Sequence, residues 1–116
     1  APYGRAAEAA LKHFEIYESI QDKIVLGENI SQTAQFVESG AADVGVISAS
    51  LATVSPLRDK GRFWQLPTDS YPKLVQGGVI LSWVKDRKVC DQLRHFVTSE
   101  AGQAILRKYG FAPPAE

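Results

Sequence analysis

Near the start of the chain, apolar residues recur every three or four positions, which is the spacing of one face of an α-helix. We therefore predict a helix over residues 4–14, followed by a short helix over residues 16–20. The apolar stripe of the first helix consists of Ala6, Ala7, Ala10, Leu11 and Phe14. Glu8 and Lys12 lie outside this stripe, one helical turn apart, where they form a favourable ion pair.

A third helix is predicted to begin after Asn29. The Asn29 side chain suits an N-cap, and Gln32 stands three residues later in the position of a capping box. The buried face of this helix would be lined by Ile30, Thr33, Ala34 and Val37. Gly40 follows at the place where helices commonly end on a residue with positive φ.

Four apolar runs have the composition of β-strands: residues 23–27, 44–47, 63–66 and 74–84. The run 44–47 is continuous and typical of a strand covered on both faces. Strand, helix and strand in this order predict a βαβ unit with a parallel pair. Gly77-Gly78 interrupts the last run and suits a bend or the close approach of another backbone. The predicted fold class is α/β, a mostly parallel sheet with helices on both faces.

The end of the chain has two further helical patterns. Their apolar stripes are Val89, Leu93, Phe96 and Val97, and then Ala101, Ala104, Ile105 and Tyr109. Ser99 suits the N-cap of the second helix, and Gly110 with Phe111 suits a Schellman ending. Earlier in the chain, residues 48–54 are predicted to form a helical turn that ends at Ser55-Pro56.

Composition narrows the functional classes. The chain has 116 residues, 45% of them hydrophobic and 22% charged, with no net charge. This fits one domain, and the absence of a clustered Lys/Arg excess argues against nucleic acid as a partner. No apolar run is long enough to cross a bilayer, and no signal peptide is present. The lone Cys90 rules out an internal disulfide.

Enzyme patterns are absent from the sequence. His13 and His95 lie on separate predicted helices without metal-ligand spacing, and Cys90 has no patterned His partner. The carboxylates Glu28, Glu38 and Asp43 show no paired arrangement, so we predict no catalytic residues and no directly bound metal.

Helix starts are the more informative feature. Free N–H groups and the positive end of the helix dipole favour anions without a charged side chain. Pro2-Tyr3-Gly4 leads into one predicted helix and Glu28-Asn29-Ile30-Ser31 into another. Every helix has such an end, however, so the feature alone is not specific.

Five motifs in sequence order give the chain a specific resemblance. They are A-P-Y-G-R-A-A at residues 1–7, L-G-E-N-I at 26–30, F-V-E-S-G-A-A-D-V-G at 36–45, Tyr71-Pro72 before an apolar strand, and the last helix at 99–111. Together they resemble the molybdate-binding proteins of ABC importers, a family of type II periplasmic binding proteins. The resemblance covers nearly the whole chain.

This resemblance implies a site for a tetrahedral oxyanion, molybdate or tungstate, between two lobes. The family binds the anion with hydroxyl and main-chain N–H groups, and the matching N–H donors here are Tyr3 and Ile30. Lesser contacts are expected at Gly4, Ser31 and Ser48, the last standing where some members have a tyrosine. No cofactor is implied, and molybdenum enters only as the oxyanion.

The resemblance also implies that the chain is the later half of such a protein. Residues 1–73 would belong to the second lobe, 74–84 to a hinge strand, and 85–116 to helices that return to the first lobe. A periplasmic location and the membrane subunit of an ABC importer as partner follow from the family. The remaining donors would come from the first lobe, which precedes Ala1. Without that lobe the C-terminal helices, with Trp83 and Phe96, would be exposed, so self-association is expected.

Two alternatives remain open on the sequence. A ligand-sensing domain of a transcription regulator or receptor can have the same two-lobed fold. An enzyme on this scaffold would need a catalytic set that the sequence does not supply.

Overall fold

The computed structural model describes residues 2–54 and 57–113. The chain divides into two units, Ala1–Leu74 and Val75–Glu116. The described helices of the first unit are α1 (Pro2–His13), α2 (Tyr17–Ile20), a 3-10 helix (Gln21–Lys23), α3 (Ile30–Glu38), α4 (Ala49–Val54) and α5 (Leu57–Lys60). Those of the second unit are α6 (Arg87–Thr98) and α7 (Glu100–Lys108). The assignment of the chain to two lobes and a hinge stays a prediction.

The helices predicted from periodicity are confirmed in place. Helix α1 begins at Pro2, whose ring fixes a helical φ and whose missing N–H costs nothing at that position. Ala6 and Ala10 of the predicted stripe are buried, and Lys12 Nζ lies 2.7 Å from Glu8 Oε1. The helical turn predicted over residues 48–54 is observed as α4, while its predicted end at Ser55-Pro56 lies outside the described residues.

The prediction of an α/β fold is wrong, because the described residues contain helices and no strand. The runs 23–27, 44–47, 63–66 and 74–84 carry no strand, and the βαβ unit built on them is absent. Within residues 2–54, no backbone hydrogen bond joins the first of these runs to the second.

The physical reason is that β-propensity expresses how well a side chain fits a half-buried, paired surface. Here that surface does not form. Leu26 is 84% exposed and Val44 is 82% exposed, although both sit in runs that read as buried strands. Fixing a segment in the extended conformation costs conformational entropy. Without a partner strand, no hydrogen bonds between strands offset this cost.

Only small side chains are buried in the part of the chain that the structure describes. The buried residues are Ala6, Ala10, Ala34, Ser48, Ala52, Ser70 and Gly102. None of the larger apolar side chains there is fully buried, and Trp83 and Phe96 are exposed as predicted. The described residues therefore leave much apolar surface open.

In the second unit, both helix starts and the end of α7 are fixed by local signals. The Asp86 side chain accepts a hydrogen bond from Val89 N at 3.1 Å and so caps α6. Ser99 Oγ accepts from Gly102 N at 3.2 Å and caps α7, as predicted. Gly110 has φ 81°, and Phe111 N donates to Leu106 O at 3.0 Å, which confirms the Schellman ending.

Gly77-Gly78 does not mark a close backbone approach. A Cβ placed on either glycine would meet no described atom within 4 Å. That interpretation of the pair is wrong, because the strand that would have neighboured another backbone is not formed.

The end of α1 contains a residue under backbone strain. Glu15 has φ 58°, and Ile16 N donates to Leu11 O at 3.0 Å, the arrangement in which glycine usually occupies the Glu15 position. The left-handed conformation costs a residue with a Cβ about 1–2 kcal/mol. We expect Glu15→Gly to raise the free energy of unfolding by about 1 kcal/mol, measured by urea denaturation.

The matched control for this substitution is Glu15→Ala. It removes the same carboxylate but keeps the Cβ that causes the strain. Equal gains in the two variants would show that the charge, and not the backbone, limits stability at this position.

Candidate functional site

The first turn of α3 has an N-cap that satisfies some of its N–H groups and leaves others open. Asn29 is extended, with φ −153° and ψ 170°. Its Oδ1 accepts from Gln32 N at 2.9 Å, and its carbonyl accepts from Thr33 N at 3.2 Å. The predicted capping box forms with a shift of one residue, because Gln32 Oε1 accepts from Glu28 N at 2.7 Å.

The first two residues of α3 keep their N–H groups open. Among the described residues, the N–H groups of Ile30 and Ser31 have no hydrogen-bond acceptor. They lie at the positive end of the helix dipole, where an anion is stabilised without a cationic side chain. Ile30 is half-buried and Ser31 is exposed, so a ligand can reach this end of the helix.

Two glycines hold neighbouring segments close to α3. A Cβ on Gly27 would lie 3.0 Å from Thr33 N, and one on Gly45 would lie 2.6 Å from Val37 Cγ2. The turn before the helix and the run after it can therefore approach α3 only without side chains at these positions. Gly27 stands at the end of an apolar run and within the L-G-E-N-I motif, and neither pattern predicts this contact.

The other predicted donor, Tyr3, lies in the first turn of α1. N–H groups in a first turn point along the helix axis beyond its start. Gly4 follows in the same turn, is exposed, and has no described atom within 4 Å of an added Cβ. The contacts between described helices of the first unit are most numerous where the helices follow one another in sequence, as α1 and α2 or α4 and α5 do, and α1 and α3 are not such a pair. That Tyr3 and Ile30 share one cavity stays a prediction.

Ser48, the remaining candidate contact, precedes α4. Its carbonyl accepts from Leu51 N at 3.1 Å and from Ala52 N at 3.2 Å. Its side chain is buried, and its Oγ lies 3.0 Å from Ser50 Oγ. The hydroxyl is therefore engaged with its neighbour in this structure.

An open pocket of about 260 Å³ lies at the far end of α1, and it has the wrong charge for an anion. It is lined by Lys12, Glu15, Tyr17 and Glu18. Its one cation is already engaged, since the Lys12 ammonium lies 4.9 Å from the centroid of the Tyr17 ring and its hydrogen bond to Glu8 raises the pKa of Lys12. Two carboxylates without a free cation repel an oxyanion.

Other kinds of site find no support in residues 2–54 and 57–113. No group of three or more His, Cys, Asp or Glu side chains there could hold a metal ion. No described helix has the length and apolar character needed to cross a membrane.

The family model and the individual relatives that the chain matches are all solute-binding proteins. Residues 1–112 match the model of a family described as bacterial extracellular solute-binding protein. The chain is 31% identical over 111 residues to the molybdate-binding protein ModA of Rhodobacter capsulatus, and 31% identical over 111 residues to ModA of Azotobacter vinelandii. It is also 26% identical over 110 residues to YvgL of Bacillus subtilis, a lipoprotein assigned as the substrate-binding component of an ABC transporter.

These matches cover almost the whole chain but only part of each relative. They include 96%, 96% and 95% of the chain, and 43%, 44% and 42% of the respective relatives. The chain thus spans less than half the length of the curated relatives that it matches. No solved structure matches it significantly.

Proposed function

Because the chain belongs to the family of bacterial extracellular solute-binding proteins, which are not enzymes, we propose that it contributes part of a binding site for a tetrahedral oxyanion. The proposed ligand is molybdate or tungstate, and the purpose of binding is delivery to an ABC importer. Two relatives that carry the name molybdate-binding protein, each 31% identical to the chain, support this choice of ligand.

The observation that carries the proposal is the pair of open N–H groups at the start of α3. Ile30 and Ser31 present main-chain donors at a helix N-terminus, and the cap on Asn29 holds that turn in place. Neutral donors suit a transport protein, because they bind a dianion without the large cost of separating it from a buried cation. A rigid helix end also fixes the size of the anion that fits.

The remaining contacts follow from the motifs. We propose the N–H of Tyr3 as the second main-chain donor, with Gly4, Ser31 and Ser48 as lesser contacts. Ser48 would have to turn its hydroxyl away from Ser50 to take part. The protein would act outside the cytoplasm, in the periplasm, and would meet the membrane subunit of the importer.

Replacing Ile30 by proline tests the role of its N–H. Proline is accepted at the first position of a helix, and the extended Asn29 backbone already has the conformation that a following proline requires. The variant should keep α3 and lose one donor to the anion. A hydrogen bond to a charged group contributes about 1.5–3 kcal/mol, so affinity for molybdate should fall about tenfold or more.

The matched control is Ile30→Ala, which removes the same side chain but keeps the N–H. Molybdate titration followed by NMR gives the dissociation constants, and circular dichroism checks the helix content. Equal affinities of the proline and alanine variants would show that the Ile30 N–H does not contact the anion.

A further inference from the structure

The side chain of Gln32 closes the turn that leads into α3. Gln32 N donates to Asn29 Oδ1 at 2.9 Å, and Gln32 Oε1 accepts from Glu28 N at 2.7 Å. Gln32 is the third residue of α3 and is half-buried, so its amide group is held against the turn. One residue therefore bonds to both residues that precede the helix.

The hydrogen bond that Gln32 Oε1 accepts determines which N–H groups stay open. In the usual capping box, the side chain of the third helical residue accepts from the N–H of the N-cap itself. Here it pairs with Glu28, one residue earlier, and the Asn29 N–H has no acceptor among the described residues. The N–H groups of Asn29, Ile30 and Ser31 are therefore all open, and the Gln32 side chain occupies none of them.

The Gln32 amide carries no charge, although a carboxylate would serve the helix at least as well. Glutamate and glutamine both act at this position of a capping box, and the helix dipole favours a negative side chain in the first turn. The first turn of α3 nevertheless contains no acidic residue. Glu28, just before the cap, is exposed to water, where its charge is screened. Helix stability alone would favour glutamate at position 32, whereas anion binding favours glutamine.

We propose that Gln32 is a positioning residue of the oxyanion site, and that its neutral side chain is what leaves this helix start available to a dianion. This inference rests on the proposed function of the α3 start. Gln32 holds the turn in the shape that keeps the N–H groups open, and it places no charge beside them. A carboxylate in its place would stabilise the helix without ligand and repel the ligand.

The substitution Gln32→Glu separates these two effects. It keeps an acceptor for Glu28 N, so the free energy of unfolding in urea should stay equal or rise. The dissociation constant for molybdate, read from the Ile30 and Ser31 amide shifts at low ionic strength, should rise about tenfold, because a charge and a dianion about 8 Å apart repel each other. The difference from the wild type should shrink as salt is added. A purely structural role of Gln32 would produce no such salt dependence.

The matched control is Gln35→Glu, which makes the same chemical change one turn farther along α3, on an exposed side chain. It should weaken molybdate binding by at most about threefold. Gln32→Ala removes the hydrogen bond to Glu28 N without adding a charge. It should lower the free energy of unfolding, and it should weaken binding by the same factor at every salt concentration.

The outcomes distinguish this inference from the proposed function. Equal affinities of the Gln32→Glu and Gln35→Glu variants, or a Gln32→Ala variant that binds molybdate as the wild type does, would overturn the role of Gln32 and leave the proposed function standing. A wild type whose Ile30 and Ser31 signals show no saturable shift with molybdate would overturn the proposed function, and this inference with it.

Discussion

The 116-residue chain by itself is expected to bind molybdate on the order of a thousandfold more weakly than a protein that surrounds the anion on all sides. The proposed donors of this chain reach only some of the anion's oxygens, and water hydrates the others. Each lost hydrogen bond to a charged group costs about 1.5–3 kcal/mol. Losing about three of them costs about 5 kcal/mol, which corresponds to more than three decades in affinity.

Isothermal titration calorimetry of the chain with molybdate measures this affinity. Little heat should appear at micromolar protein and anion. A dissociation constant in the micromolar range or below would contradict the expectation, because it would mean that residues 1–116 supply a nearly complete set of donors.

Gly102→Ala is expected to lower the free energy of unfolding by about 1–3 kcal/mol. This reverses the usual effect, since alanine in a helix is normally more stable than glycine by about 0.5–1 kcal/mol. Gly102 is buried in the first turn of α7, where an added Cβ would press on the Phe96 carbonyl oxygen and lie 2.9 Å from Val97 Cα. These are backbone atoms, so the contact cannot be relieved by a side-chain rotation.

The control for this prediction is Gly4→Ala, also in the first turn of a helix. No described atom lies within 4 Å of a Cβ there, and the usual gain should appear. Urea denaturation followed by far-ultraviolet circular dichroism measures both variants. A stabilised Gly102→Ala would show that α6 and α7 can separate without cost, and that this corner does not depend on glycine.

The helices could be predicted from the sequence because their signals are local. Asn29 and Ser99 each cap the helix that follows within three residues, and Gly110 ends α7 with its own backbone conformation. Such signals need no partner from elsewhere in the chain. The Asp86 cap of α6 is a local signal of the same kind, although α6 was predicted from its apolar stripe alone.

The strands could not be predicted correctly because their formation depends on residues far away in sequence. Val25 and Val44 lie in runs that have the composition of buried strands, yet both side chains are exposed here. Parallel strands form only when their backbones hydrogen-bond to each other. A run of apolar residues does not specify which segment the partner strand is, or whether such a partner is available.

The same distinction between local signals and distant contacts applies to the candidate site. The open N–H groups of Ile30 and Ser31 follow from the Asn29 cap and the start of α3. Residues close together in sequence determine both, so the sequence could predict them. The relation of Tyr3 to Ile30 depends on how α1 and α3 are placed, and no local pattern determines that placement.

The central claim is that the start of α3 binds a tetrahedral oxyanion through its main-chain N–H groups. The most direct test is a titration of the 15N-labelled chain with molybdate, followed residue by residue in ¹H–¹⁵N spectra and repeated with sulfate at the same ionic strength. The amide signals of Ile30 and Ser31 should shift most, in a saturable way, and more with molybdate than with sulfate. If these two signals stay fixed while others move, or if sulfate and molybdate act alike, the claim is contradicted.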